Sequence, residues 1–174
     1  MRQRPSTSLG MNGEGRHVLG YAMKPFARAV LTGTAISGSL DILSAFVFSG
    51  IGGVTPGQVL RYVASGPFGD AMRAGGAAEA ALGLLVHYAL MAIMVTVFAL
   101  AFERIISIRR HPLISGMIYG FLIYLVMYWL VTPARFGAFP KLSLWGVGNA
   151  LFSHLICVGL SMGYVVNRAL VSRK

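Results

Sequence analysis

Four apolar stretches dominate this sequence and constrain its fold more than any other feature. They cover residues 27–49, 77–101, 113–131 and 146–166. A helix of roughly 20 apolar residues crosses a bilayer core about 30 Å thick, so each stretch is long enough to span a membrane. Backbone groups in hydrocarbon must pair within the segment, and the short alternating pattern of barrel strands is missing. The pattern predicts an all-α membrane protein in which four transmembrane helices form a compact bundle.

The composition agrees with this class and excludes several others. Of the 174 residues, 56% are hydrophobic and 11% are charged, whereas a soluble domain carries about 25% charged residues. A single cysteine, Cys157, excludes a disulfide framework and a thiolate metal site. The 15 Lys and Arg residues lie between the apolar runs and not in one basic patch with aromatic residues. We therefore expect membrane lipid, and no nucleic acid, as a partner.

The positions of the basic residues predict the orientation of the bundle. Five of the 15 Lys and Arg residues lie before the first run or at its start, three follow the second run and three follow the fourth, against four on the opposite side. The positive-inside rule then places both termini in the cytoplasm. We predict a disordered basic tail over residues 1–26, a four-helix domain over 27–168 and a basic tail over 169–174. A cleaved signal peptide is the alternative for the first run, but that run is longer than the roughly 7–15 apolar residues typical of one and contains Asp41.

The long connection between the first two runs, residues 50–76, carries a helix signal of its own. Thr55 fits an N-cap, Pro56 the first helical position and Gln58 the partner of a capping box. The apolar residues Val59, Leu60, Tyr62 and Val63 follow. We expect a short interfacial helix in this first outer loop, lying at the membrane surface.

Small residues at a spacing of four recur in three of the runs. Such residues let helix backbones approach closely, which drives much of the association of helices in lipid. They predict close packing, either inside the bundle or in a homo-oligomer. The pairs are Gly33 with Ser37, Gly116 with Gly120 and Gly159 with Gly163.

Three ionisable residues inside the runs are the strongest functional signal. Counted at 1.5 Å per residue from the outer ends, Asp41 lies about 12 Å deep, His87 about 15 Å and His154 about 12 Å. One carboxylate and two imidazoles from three helices thus share one level, where a charge costs about 2.5 kcal/mol or more. We predict a buried polar cluster of these residues, extended by neighbours at helical spacing. Those neighbours are Tyr124, Asn149 and Ser153.

Three interpretations of this cluster stay open at the level of sequence. Polar side chains often bond across membrane helices and simply clamp the bundle. An aspartate beside neutral histidines could instead handle protons or bind a small substrate. Asp41, His87 and His154 also suit a transition metal, and two facing histidines could hold haem, although an acid at the same level argues against haem.

The order of these features resembles the YagU-like proteins of the bacterial inner membrane. The resemblance covers about residues 28–168. It rests on Gly83-Leu-Leu-Val-His87 in the second run, on Phe152-Ser-His154-Leu in the fourth, and on a Gly-x-x-x-Gly third run that ends before Pro133. It implies a polytopic protein of the bacterial inner membrane with no established catalytic activity.

We therefore expect a multi-pass inner-membrane protein whose function is non-enzymatic. Neither a His-Glu-x-x-His motif nor a phosphate-binding loop occurs. We expect no cofactor and, as partners, lipid together with a second copy or another membrane protein. The alternative is a metal- or haem-binding redox subunit that uses His87 and His154.

Overall fold

The computed structural model describes residues 13–137, 139 and 143–171, with side chains from residue 25 onward. Every regular element within these ranges is helical, so the predicted all-helical fold is confirmed. The helices are α1 (Gly13–Ile51), α2 (Pro56–Phe68), α3 (Ala77–Arg104), α4 (Ile106–Arg110), α5 (Pro112–Leu125), α6 (Thr132–Phe136), α7 (Leu144–Leu151) and α8 (Ser161–Val171). A 3₁₀ turn covers Asp70–Ala74, and two π-helical segments cover Val126–Val131 and Phe152–Leu160.

Four helical segments are long and apolar enough to cross a membrane, as the sequence predicts. They are Pro25–Ile51, Ala77–Arg104, Pro112–Phe136 and Leu144–Val171, called the first to fourth spans below. Each contains the corresponding predicted stretch. The third and fourth run unbroken through a π segment, because the wider turn still pairs its backbone groups inside the helix.

The first helix begins earlier than predicted. Residues 13–26 belong to α1, so this part of the expected disordered tail is helical instead; residues 1–12 lie outside the described ranges. Extending an existing helix adds one hydrogen bond for each residue that is fixed, which is far less costly than starting a new helix. Pro25 lies inside α1 and removes one donor from it without ending it.

The spans pack in the order second, first, fourth, third. The third span also contacts the second, which closes the four helices into a ring. There, the Tyr119 hydroxyl of the third span donates to the Met94 carbonyl of the second at 3.0 Å. We call the end that carries Arg104, α4 and Arg168 the basic end, and the end that carries α2 and α6 the loop end. An apolar core occupies the half toward the basic end. Its buried members are Met91, Val95, Phe98, Ala99, Phe102, Ile123, Val158, Met162 and Val166.

Helix α2 has the predicted capping box, in which the Thr55 hydroxyl and the Gln58 side chain each bond to the other residue's backbone amide. The helix packs on α3. A Cβ atom at Gly83 would overlap the Leu60 carbonyl, so the two helices meet at backbone distance only because Gly83 has no side chain. Ser65 of α2 is fully buried. Gly83 therefore serves the contact between α2 and α3.

The third and fourth spans cross through their glycines. A Cβ atom at Gly116 would meet the Gly159 carbonyl, and one at Gly159 would meet the Gly116 carbonyl. One at Gly120 would meet the carbonyl of His154, and one at Gly163 that of Pro112. Both Gly-x-x-x-Gly pairs thus face each other inside one chain.

The third pair of small residues joins the first span to its neighbours. A Cβ atom at Gly33 would lie 2.8 Å from Val95 Cγ1 on α3. Ser37 is fully buried, and its hydroxyl bonds to that of Ser161 at 2.8 Å. The first span is thereby held to α3 by close packing and to the fourth span by a hydrogen bond.

Candidate functional site

Asp41 and His87 face each other between the first span and α3. His87 Nδ1 lies 4.0 Å from Asp41 Oδ2, with 9% of the imidazole and 22% of the carboxylate side chain exposed. On its other side, the ring donates from Nε2 to the Gly38 carbonyl at 2.9 Å. Gly38 also admits α3, since a Cβ atom there would lie 2.9 Å from Tyr88 Cε1. The carbonyl one turn before Asp41 therefore fixes the ring that the carboxylate faces.

The Gly38 carbonyl determines which nitrogen of His87 carries a proton. A carbonyl oxygen only accepts hydrogen bonds, so Nε2 must be protonated. In a neutral ring, Nδ1 would then point a lone pair at the Asp41 carboxylate, which is an acceptor as well. One further proton resolves this conflict, whether it is held on Nδ1 or on the carboxyl group. The arrangement thus favours one shared proton between Asp41 and His87.

His154 approaches the same carboxylate from the fourth span. Its Nδ1 donates to the Ala150 carbonyl at 2.8 Å, so the neutral ring keeps an unprotonated Nε2. Tyr124 and Tyr128 each meet the ring in an edge-to-face arrangement, at centroid distances of 5.9 Å and 5.8 Å. His154 lies in the π segment Phe152–Leu160, and the wider turn of a π helix often marks a functional site.

A cavity of about 500 Å³ opens at the loop end of the bundle. We call it the loop-end cavity. Its walls include Asp41, Phe48, Tyr128, Trp145, Asn149 and His154. Its size falls within the range of about 300–1,000 Å³ that is common for ligand sites.

A second cavity of about 70 Å³ lies deeper, toward the apolar core. His87 and the side chains of Met91, Met94 and Met127 border it. Asp41 and His154 border both cavities, so these two residues stand where the cavities adjoin. Solvent in the loop-end cavity can therefore reach the carboxylate, while His87 stays on the buried side.

The remaining residues of the predicted polar cluster pack around the two cavities. Ser153 is buried and bonds to the Ser44 hydroxyl at 2.6 Å, which joins the first and fourth spans. With its amide oriented to satisfy both ends, Asn149 accepts from Trp145 Nε1 at 3.0 Å and donates to the Trp145 carbonyl at 3.3 Å. Tyr124 is buried beside the His154 ring and does not line the loop-end cavity. These groups orient the site and do not open onto its deeper part.

The predicted metal site is not formed in this arrangement. Nowhere in the described ranges do three His, Cys, Asp or Glu side chains come together to hold a metal ion. His87 and His154 each use one ring nitrogen on a backbone carbonyl. Depth along the helices brought Asp41, His87 and His154 to one level, but ligation also needs lone pairs that converge on a point.

Sequence reasoning missed the carbonyl of Gly38 and the aromatic wall of the loop-end cavity. Gly38 carried a usable signal, since it lies three residues before Asp41 on one helix face. Phe48 and Trp145 carried none beyond their place near the membrane surface. Their rings meet edge to face, with centroids 6.0 Å apart and planes at 85°.

An ionic and aromatic cluster closes the loop end beside the cavity. Arg135 donates to the carbonyls of Ser65 and Gly66 at 2.7 Å and 2.6 Å and contacts Asp70 at 3.3 Å, joining α6 to the end of α2. Arg73 lies over the Tyr62 ring at 5.1 Å. Burial raises the pKa of the Tyr62 phenol, and the neighbouring Arg73 partly opposes this shift. The phenol therefore stays neutral at physiological pH.

Comparison with protein-family models, with curated proteins and with solved structures gives no match for this chain. The four apolar helices are compatible with a polytopic membrane protein. Within that class, the residues around Asp41 are the basis for any statement about function.

Proposed function

We propose that this polytopic membrane protein handles protons at the Asp41–His87 pair. One observation carries the proposal: His87 Nε2 is committed to the Gly38 carbonyl, so its Nδ1 and the Asp41 carboxylate face each other at 4.0 Å. Two acceptors at this separation favour one proton held by the pair. Histidine is the side chain whose ordinary pKa lies nearest to physiological pH, which suits it to proton transfer. Intramembrane ionisable groups commonly serve proton pathways.

His154 is the group through which the proton exchanges with solvent. Its free Nε2 is an acceptor, and the ring borders both the loop-end cavity and the deeper one. A proton can pass between the cavity and the pair by way of this nitrogen or directly at Asp41. Toward the basic end the apolar core, including Met91 and Val158, lies against the deeper cavity. Passage to that side would require the spans to move or a second copy of the chain to contribute a path.

We further propose that the protein lies in a bacterial inner membrane with both termini in the cytoplasm, so that the loop-end cavity faces outward. Eleven of the 15 Lys and Arg residues, counted from the sequence as five, three and three, then lie on the cytoplasmic side. The resemblance to YagU-like proteins supports the same membrane. Helix α2 would lie at the outer surface, where half-exposed Tyr62 suits the headgroup zone.

The proposal is tested by measuring proton uptake by the purified protein in detergent between about pH 5 and 8. His87→Gln and Asp41→Asn should each lose one bound proton from the titration. Nitrogen-15 NMR of labelled histidines should show the Nδ1 signal of His87 change in Asp41→Asn. Matched controls are His111→Gln and Glu103→Gln, which alter exposed groups.

The competing role is a structural clamp, favoured by the buried Ser44–Ser153 bond beside the pair. A clamp predicts that the variants melt at lower temperature while the Asp41-dependent proton is never observed in the wild type. Proton uptake that is equal in wild type, His87→Gln and Asp41→Asn would refute proton handling.

A further inference from the structure

The loop-end cavity combines an acid floor with aromatic walls. Asp41 borders its deep side, and the rings of Phe48, Tyr128 and Trp145 border its flanks. No Lys or Arg lies among the described residues that line it. Among the described lining residues, the charged form of Asp41 therefore has no Lys or Arg partner. A ligand that enters from the loop end meets one negative group and three aromatic rings.

The geometry of the rings favours a diffuse positive charge. The Phe48 and Trp145 rings contact each other edge to face, with centroids 6.0 Å apart and planes at 85°, and both border the cavity. Trp145 is held in place by its bonds to Asn149. Cations are attracted to the faces of aromatic rings, and aromatic cages bind quaternary ammonium groups for this reason. A small alkali ion would keep its water shell and gain little from such walls.

The volume and polarity of the cavity fit an organic molecule and not a bare ion. About 500 Å³ is typical of a ligand site. Ser49 and Asn149 add polar atoms on the wall, suited to a hydroxyl or amide on the ligand. The recognised class is thus an amine or quaternary ammonium compound with a polar substituent.

We propose that the loop-end cavity binds an organic ammonium cation in exchange for the proton of the Asp41–His87 pair. This inference rests on the proposed proton-handling function, because the same carboxylate serves both. With one shared proton, the pair is neutral overall. When the cation binds against ionised Asp41, one proton leaves to solvent through His154, and His87 becomes neutral. The charge of the whole site is unchanged, which avoids the cost of an added charge inside the membrane.

Reciprocal linkage follows from this exchange. If the cation displaces the proton, then protonation must weaken cation binding by the same factor. Below the pH at which the pair titrates, apparent affinity should fall about tenfold for each pH unit. One proton should be released for each cation bound.

Trp145 supplies the reporter for the test. The chain contains two tryptophans, and Trp129→Phe leaves Trp145 as the sole indole. Trp129 does not line the loop-end cavity. Protein carrying Trp129→Phe would be titrated in detergent with choline, with the larger benzyltrimethylammonium, and with 3,3-dimethyl-1-butanol, the uncharged isostere of choline. Proton release would be followed in weakly buffered solution.

We expect at least one of the two cations to change the Trp145 emission in a saturable way while the uncharged isostere does not. Asp41→Asn should weaken binding at least tenfold, and Phe48→Leu should weaken it several-fold through loss of the cation–π contact. Melting of each variant checks that the fold survives. Equal responses to choline and its isostere, or no saturable response to either cation, would overturn the inference and identify the cavity as a lipid-filled crevice.

The two proposals fail in different ways. Saturable, Asp41-dependent cation binding without proton release would overturn the exchange of cation for proton. If the His87 NMR signal were also unchanged in Asp41→Asn, the proposed shared proton would be refuted as well. A normal shared proton with no cation response would leave proton handling intact and refute cation binding alone.

Discussion

The basic half and the loop half of the bundle are built by different means. Toward the basic end, glycines let the third and fourth spans touch backbone to backbone, and side chains such as Phe98 and Phe102 fill the space between the other helices. Toward the loop end, the four spans line two cavities with a carboxylate, two imidazoles and hydroxyl groups. Close packing in the basic half sets the positions of the helices. The loop half then places its polar side chains at the positions that these helices provide.

Gly120 lies where the two halves meet. Its missing side chain leaves room for the carbonyl of His154, the residue that borders both cavities. Close packing of the third and fourth spans in the basic half therefore fixes the depth and direction of the His154 imidazole in the loop half. Glycine is required here by the contact itself, because the helix geometry at this position is ordinary.

The largest expected effect comes from breaking that contact. Gly120→Ala places a methyl group against the His154 carbonyl, and overpacking of a tight core costs about 1–3 kcal/mol. Melting in detergent should fall accordingly, and the His154 NMR signals should shift. Gly148→Ala is the matched control, since a Cβ atom there meets nothing within 4 Å and alanine favours a helix. Equal melting temperatures for the two variants would contradict backbone contact between the third and fourth spans at Gly120.

A smaller effect is expected from the loop end. Arg135→Gln removes the guanidinium that bonds to the carbonyls of Ser65 and Gly66, which should cost about 1–2 kcal/mol for this partly exposed group. Hydrogen exchange of the α2 amides should rise while exchange across the third and fourth spans stays unchanged. Arg110→Gln, at the exposed basic end, should alter neither. A uniform rise in exchange over all spans would contradict separate stabilisation of the two halves.

The smallest effect concerns the hydrogen bond between the first and fourth spans. A double-mutant cycle of Ser37→Ala and Ser161→Ala should give a coupling of about 0.6 kcal/mol, the average for such bonds in a membrane bundle. The measurement is the unfolding free energy of the two single variants and the double variant. A coupling near zero would mean that the two hydroxyls find other partners equally well, as Ser161 does with the Cys157 carbonyl.

Much of the fold followed from the sequence because the membrane restricts the choices. Spans of fixed length must cross a layer of fixed thickness, so hydropathy alone places four helices. Height followed too, since each residue advances a helix by a constant 1.5 Å. That reasoning brought Asp41 and His87 to one level, and the structure separates their polar atoms by 4.0 Å.

Rotation about each helix axis did not follow from the sequence. The bond from His87 to the Gly38 carbonyl depends on how α3 turns against the first span, and hydropathy does not report that angle. The predicted start of α1 was also wrong. A polar segment that directly precedes a helix can extend that helix, although its composition alone predicts disorder. The metal hypothesis failed for a related reason: a shared level does not fix the direction of lone pairs.

The π segment Phe152–Leu160 affects how the sequence of the fourth span can vary during evolution. A π turn accommodates the equivalent of one inserted residue, and one residue corresponds to about 100° of rotation in an α-helix. Side chains before and after the segment are therefore out of phase with each other. Asn149, before the segment, can keep its bearing on the cavity while Gly163, after it, keeps its own on the third span. One helix thus carries two faces that evolution can tune independently.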